Sequence, residues 1–207
     1  MPPEATTCVL ASGNAGKLAE LSNTLTQHRI RLIAQSEYNV SDVAETGITF
    51  LENALIKARH ASAATGLPAM ADDSGLVVPA LNGQPGIYSA RYAGTPDSDK
   101  KPTDDENIDK LLSELQPLPS QARDAYFVCV LAYLQHPADP LPVIATGYWR
   151  GRILDERQGT DGFGYDPVFY CPGEKMTAAQ MGKSRKRQIS HRALALQELS
   201  ERLAKLH

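Results

Sequence analysis

The chain has 207 residues, a formal net charge of -3 and a pI near 6.0, with 42% hydrophobic and 22% charged residues. This is an ordinary globular composition, enough for one substantial core or one core drawn into two lobes, and its acidity argues against a general nucleic-acid binder. No stretch approaches the roughly 18 apolar residues of a membrane helix, Met1 to Thr7 lacks the charge and apolar run of a secretory signal, and the three separated cysteines suit reduced thiols in a cytoplasmic protein.

Thr7 to Ala11 reads as a buried strand, and Cys8 in it as a buried thiol. A turn with two glycines, Ser12 to Gly16, leads into a helix with Leu18, Leu21 and Leu25 on one face. Ile30 to Ala34 is a second strand, and Glu45 to Thr49 a loop. Thr49 and Glu52 have the T-x-x-E spacing of a capping box. The helix behind them carries Leu51, Ala54, Leu55 and Ala58 at core spacing, with Gly66 as its C-terminal stop. Ala69 to Asp72 and Leu76 to Ala80 read as short strands on either side of an acidic turn. Pro96 to Asp105 is expected to be a surface loop and Glu106 to Leu115 a helix. Tyr126 to Leu134, which holds Cys129, and Val143 to Leu154 are long strands. Gly159 to Gly164 is a glycine-rich loop, and Ser190 to Leu206 a final helix with Leu196, Leu199, Leu203 and Leu206 on one face. Strands and helices mix from end to end, and no linker divides the chain. The expected class is α/β or α+β, as a single domain over residues 1–207.

Five segments carry residues suited to chemistry. The turn of Ser12, Gly13, Asn14, Ala15, Gly16 and Lys17 lies between a strand and a helix, where backbone N–H groups and the helix N-terminus favour an anion. It is too short for a Walker A loop, and a plain strand-to-helix turn is the competing reading. Lys17 in the first helical turn opposes the helix dipole unless a negative group compensates it. Asp72 and Asp73 are adjacent carboxylates that repel unless a cation intervenes, and hard oxygen ligands suit Mg²⁺. A solvated Asx turn at Asp73 is the alternative.

Asn53 and Lys57 share one helix face behind Glu45, and alone read as a solvated polar face. Phe163 sits among three glycines in the 159–167 loop, where a purine stacked on its ring would gain about 1–3 kcal/mol. Lys183, Arg185, Lys186, Arg187 and Arg192, with His191 among them, form the strongest basic run of an acidic chain. Such a run is usually a solvated helix face, but a triphosphate is a natural partner for it.

Taken in order, SGNAGK at 12–17, ETGITFLENALIKARH at 45–60, ADDSGL at 71–76, PGIYSARYAG at 85–94, GTDGFGYDPVF at 159–169 and ISHR at 189–192 resemble the XTP/dITP diphosphatases, also called inosine triphosphate pyrophosphatases. The resemblance implies an elongated mixed β-sheet flanked by helices, in two lobes around a nucleotide cleft, and a homodimer. It implies Mg²⁺-dependent hydrolysis of ITP, dITP and XTP between the α- and β-phosphates, which keeps deaminated purines out of DNA and RNA. By resemblance, Ser12 to Lys17 and Lys57 bind the triphosphate, Glu45, Asp72 and Asp73 hold the metal, and Asp73 is the base for the attacking water. Ser74 touches the substrate. Phe163, Gly164, Tyr165 and Asp166 pack around the base, with Lys186, His191 and Arg192 completing the pocket. Ala193 and Arg187 depart from the family pattern beside that pocket.

Three other readings stay open at this level. One is a pyrophosphatase of the same architecture acting on other nucleotides, such as modified pyrimidine triphosphates. Another is a nucleotide sensor without catalysis, against which the acidic pair speaks. The third is a nucleic-acid binder, supported only by the 183–192 run.

Overall fold

A computed structural model describes residues 5–12, 15–95 and 100–205. Seven strands, β1 (Thr6–Leu10), β2 (Ile30–Ala34), β3 (Ala69–Val77), β4 (Asp124–Leu134), β5 (Val143–Ile153), β6 (Phe169–Cys171) and β7 (Met176–Thr177), are ordered β2-β1-β3-β4-β5-β6-β7. The helices are α1 (Ala15–Leu25), α2 (Phe50–Thr65), α3 (Asp104–Leu115), α4 (Lys183–Ile189) and α5 (His191–Ala204). β1 runs parallel to β2 and to β3, while β6 pairs antiparallel with β5 and β7. The sheet is therefore mixed and flanked by helices, as expected. No helix among the described residues is long and apolar enough to cross a membrane.

The chain divides into two compact units. The first comprises Met1–Asp73, Cys129–Gly147 and Leu194–His207; the second comprises Ser74–Val128 and Tyr148–Ala193. In the first unit, the alternation of side chains along a strand sorts the core into two layers. Cys8, Leu10 and Met70 pack with Leu21 and Leu25 of α1 and with Ala195, Leu196, Leu199 and Leu203 of α5. Their neighbours Val9, Ala11, Ala69 and Ala71 pack with Ala58 and Ala61 of α2. The small residues on this second side suit close approach of helix to sheet. In the second unit, Ile108, Leu111 and Leu115 of α3 pack with Phe127, Trp149, Ile153, Val168 and Phe169. Cys8, Cys129 and Cys171 are all buried free thiols, and burial pushes the Cys171 thiol up to about 12.

Several boundaries differ from the sequence-based expectation, each for a physical reason. The acidic turn does not exist: β3 runs unbroken through Asp72 and Asp73. The helix expected from Glu106 begins at Asp104, because Thr103 and Glu106 form a complete capping box. The expected loop thus ends at its cap, and Pro96 to Asp99 lie outside the described residues. At α2, Thr49 accepts from the N–H of Glu52 at 3.1 Å, but the Glu52 carboxylate takes the N–H of Ile48 at 2.8 Å instead of closing the box. Gly66 ends α2 in the left-handed conformation, φ 69°, its N–H bonded to Ser62 O at 2.8 Å.

The buried face of α2 is turned from the expected one but overlaps it: Ala54 and Ala58 are buried as expected, and Leu55 is half-buried. Leu51 is exposed, while Asn53, Ala54, Ala58, Ala61 and Ser62 are buried. The basic run also forms a helix of its own, α4. It stops at Ser190, which is extended and whose hydroxyl accepts from Ala193 N at 3.3 Å to start α5. Leu206 lies outside the described residues. The short strands β6 and β7 were not anticipated at all.

The packing of α5 into the first unit gives a stability contrast. Leu199 is fully buried and Leu194 is 36% exposed. Leu199→Ala is expected to cost about 2–5 kcal/mol in urea unfolding, and Leu194→Ala no more than about 1 kcal/mol. Equal losses would show that α5 does not use the leucine face described.

Candidate active site

Successive residues of a strand point to opposite faces, so Asp72 and Asp73 part company although adjacent. Asp72 follows the face of Met70 toward α1, and Asp73 the face of Ala71 toward α2. Each meets a lysine from the helix on its own side. Lys17 Nζ donates to both Asp72 oxygens, at 2.9 and 2.8 Å. Lys57 Nζ donates to Asp73 Oδ1 at 3.1 Å and to Glu45 Oε1 at 2.8 Å. The unfavourable position of Lys17 in the first turn of α1 is thus answered by a carboxylate of the protein itself.

A second set of contacts fixes the Asp73 side. Asn53 Nδ2 donates to Asp73 Oδ2 at 3.3 Å, and Asn53 Oδ1 accepts from Gly47 N at 2.9 Å. A Cβ on Gly47 would lie 2.5 Å from Glu52 Cβ and 2.8 Å from Asn53 Oδ1, so only glycine lets the chain pass. Asn53, read from the sequence as part of a solvated polar face, is instead fully buried and links the loop after Glu45 to the strand. Its one signal in the sequence was a position one helical turn before Lys57.

Burial raises the Asp73 carboxyl above its ordinary value, with Glu45 adding to the rise and Lys57 and Asn53 opposing it. Burial opposes the charge of Lys57, yet Asp73, Glu45 and Asp72 together hold its ammonium above the ordinary lysine value. Two partners in one ion pair would normally shift in opposite directions. Here both rise, because Asp73 is desolvated beside a second carboxylate.

Among the described residues, no three His, Cys, Asp or Glu side chains gather closely enough to ligate one ion. Asp72 leaves the strand away from the other two carboxylates. Glu45 and Asp73, by contrast, converge on a single cation, the ammonium of Lys57. Two carboxylates around one cationic point, with phosphates to complete the set, is the donor chemistry of Mg²⁺. These two residues fit such an ion.

In the second unit, the Asp166 carboxylate is 2% exposed and ties the glycine loop together. Its Oδ2 accepts from Phe163 N at 2.9 Å and from Lys186 Nζ, whose ammonium lies 5.1 Å from the centroid of the Phe163 ring. Phe163 itself is 63% exposed, an aromatic face offered to solvent. Gly162, at φ 91°, has no room for a Cβ against that same carboxylate oxygen. Gly164 N donates to Asp104 Oδ2 at 2.6 Å. Tyr165 belongs to the core of this unit, where its hydroxyl donates to Ser89 O at 2.9 Å. His191 is buried and lies face to face with Phe127 and Trp149.

The expected site residues therefore fall into two groups. Ser12, Lys17, Glu45, Lys57, Asp72 and Asp73 belong to the first unit, and Ser74, Phe163 to Asp166, Lys186, His191 and Arg192 to the second. Gly13 and Asn14 lie outside the described residues, and of the Ala15 side chain nothing is described.

A profile of the Ham1 family matches residues 8–202. A dITP/XTP pyrophosphatase of Vibrio parahaemolyticus is 52% identical over 196 residues, 95% of this chain and 96% of its own length. One from Xanthomonas oryzae is 54% identical over 195 residues, 94% and 96% of the two chains. A solved HAM1 protein from Coxiella burnetii superposes with a TM-score of 0.90 at 48% identity, covering 97% of this chain and 99% of that one.

The ion pair at the first unit's site is testable by a double-mutant cycle. Lys57→Met should destabilise the protein, and Asp73→Asn in the same chain should recover part of the loss. The expected coupling in urea unfolding is about 0.5–3 kcal/mol. Additive effects would mean that the two side chains do not stabilise each other.

Proposed function

The chain belongs to the Ham1 family, and from that premise we propose that it hydrolyses ITP, dITP and XTP to the nucleoside monophosphate and pyrophosphate, keeping deaminated purines out of DNA and RNA. It is a nucleoside-triphosphate pyrophosphatase, a hydrolase of acid anhydrides. The observation that carries the chemistry is the charge balance of the first unit's site. Two ammoniums, Lys17 and Lys57, face three carboxylates, Glu45, Asp72 and Asp73. A cluster with a carboxylate in excess does not attract a triphosphate unless a further cation joins it.

We assign that role to Mg²⁺, held by Glu45 and Asp73 together with substrate phosphates. When bound it neutralises phosphate charge and polarises the phosphorus under attack. Asp72 is better read as the anchor of Lys17 than as a metal ligand. Lys17 and Lys57 hold the triphosphate at the start of α1, where a helix N-terminus favours an anion. Asp73, whose pKa burial raises, accepts a proton from the attacking water and orients it. Asn53 and Gly47 keep its carboxylate in place.

Base recognition falls to the second unit, with Ser74 as a further substrate contact. The exposed ring of Phe163 supplies a stacking face, which is indifferent to substituents. Choice comes from the polar groups: Lys186 fixed by Asp166, His191 and Arg192. Donors there favour a 6-oxo base and oppose the 6-amino group of adenine. Residues 1–207 act as one catalytic domain, since neither unit is a continuous segment. A cytoplasmic homodimer that takes neither nucleic acid nor membrane as partner completes the reading, supported by the family resemblance and the free buried thiols.

The deciding assay is pyrophosphate release from ITP, dITP, XTP, GTP and ATP in ¹⁸O-water, with Mg²⁺ and with excess EDTA. The first three substrates should turn over at least about tenfold faster than ATP, label should enter the monophosphate, and EDTA should abolish the reaction. Equal ATP turnover, label in orthophosphate, or full activity in EDTA would each overturn the corresponding part.

Asp73→Asn should lower kcat by about 10²–10⁴-fold, the usual cost of losing a general base. Near-normal turnover would make Asp73 a structural residue.

A further inference from the structure

The imidazole of His191 rests on an aromatic wall. Its ring lies 5.0 Å from that of Phe127 with 19° between planes, and 6.4 Å from that of Trp149 with 16° between planes. Phe127 and Trp149 are themselves stacked, 6.2 Å apart at 28°. The fully buried Phe169 backs both, at 4.5 Å from Phe127 and 5.2 Å from Trp149. Three near-parallel planes thus set the plane of the imidazole. The backbone is fixed as well, since His191 is the first residue of α5, directly after the Ser190 cap.

The orientation matters because a neutral imidazole carries a donor on one nitrogen and an acceptor on the other. A ring free to turn about its last side-chain torsion would present either one. Flat neighbours fix the plane of the ring, and with it the direction along which a ring nitrogen can reach a base in that plane.

We propose that Trp149 and Phe127 are positioning residues for base selection, holding the plane of His191 so that a ring nitrogen is aimed at the edge of the purine. This rests on the reading of His191 as a base contact. Neither Trp149 nor Phe127 needs to touch the substrate. Their part is to keep that nitrogen directed at the 6-oxo group, a contact that a tilted ring would lose. The wall's cost in polar freedom is small: Trp149 and Phe127 are 6% and 8% exposed and belong to the core of the second unit.

The test compares Trp149→Leu, Trp149→Phe, Phe127→Leu and His191→Ala, each checked for cooperative native folding by urea unfolding followed by far-ultraviolet circular dichroism. The readout is kcat and KM for ITP and for ATP. Trp149→Phe keeps a flat ring and should preserve the ITP-to-ATP ratio of kcat/KM. Trp149→Leu should lower that ratio by about tenfold or more, the worth of one misdirected polar contact, through KM for ITP more than through kcat. Phe127→Leu should do the same, and serves if Trp149→Leu does not fold. If His191→Ala loses selectivity while both leucine variants keep it, the positioning role is overturned and His191 remains a base contact. If His191→Ala itself keeps the ratio, the base-contact reading fails and the proposal falls with it. Equal losses for ITP and ATP in the leucine variants would mean a purely structural wall and would also overturn it.

Discussion

Two adjacent carboxylates in the interior of a protein are a liability. Here the alternation of a β-strand removes most of it by sending them to opposite faces. Asp72 and Asp73 are 2% and 8% exposed, where an uncompensated charge is expensive. Each is answered by an ammonium from a different helix. That pairing dictates much around it: α1 must start close to the strand end to deliver Lys17, and α2 must turn a polar face inward to deliver Lys57 and Asn53. The helix face follows from the needs of a carboxylate rather than from leucine spacing. The alanines of α2 then let its backbone come near the sheet.

The second unit solves a different problem with aromatic and glycine residues. A single buried carboxylate, Asp166, organises a loop whose glycines leave room for it and whose phenylalanine stays exposed. Lysine and ring are held together by the same group. Polar residues with work to do at the surface are thus tied to a rigid core by very few contacts, which is how a loop keeps a defined shape.

Much of this was legible in the sequence. Strands over 30–34 and near 7–11, both long strands, the Gly66 stop and the α5 leucines all follow from periodicity and local chemistry, because each is decided by neighbours in the chain. The acidic turn was misread because a pair of aspartates looks like a surface feature until the lysines that neutralise them, at 17 and 57, are known to lie opposite. The same long-range fact turned the buried face of α2 from Leu51 toward Asn53. β6 and β7 are too short to show a period. Among the site residues, Asp73, Lys57 and Glu45 were found as a group by resemblance, but their shared ammonium and the role of Asn53 depend on a tertiary contact no spacing reveals. The stack under His191 joins residues 127, 149, 169 and 191, far apart in the chain.

The interleaving of the two units bears on how the protein is made. The core of the first unit contains Cys8 of β1 and Leu203 of α5, so its hydrophobic layer includes side chains from both ends of the described chain. On a translating ribosome, β1, β2 and α1 emerge well before Ala195, Leu196, Leu199 and Leu203, and lack those partners until α5 has followed. The second unit, by contrast, has all its parts once residue 193 has cleared the exit tunnel. The order of synthesis therefore opposes the order of sequence: the half that carries the acidic pair is the last able to bury its core, and an unfinished chain cannot assemble that layer in full.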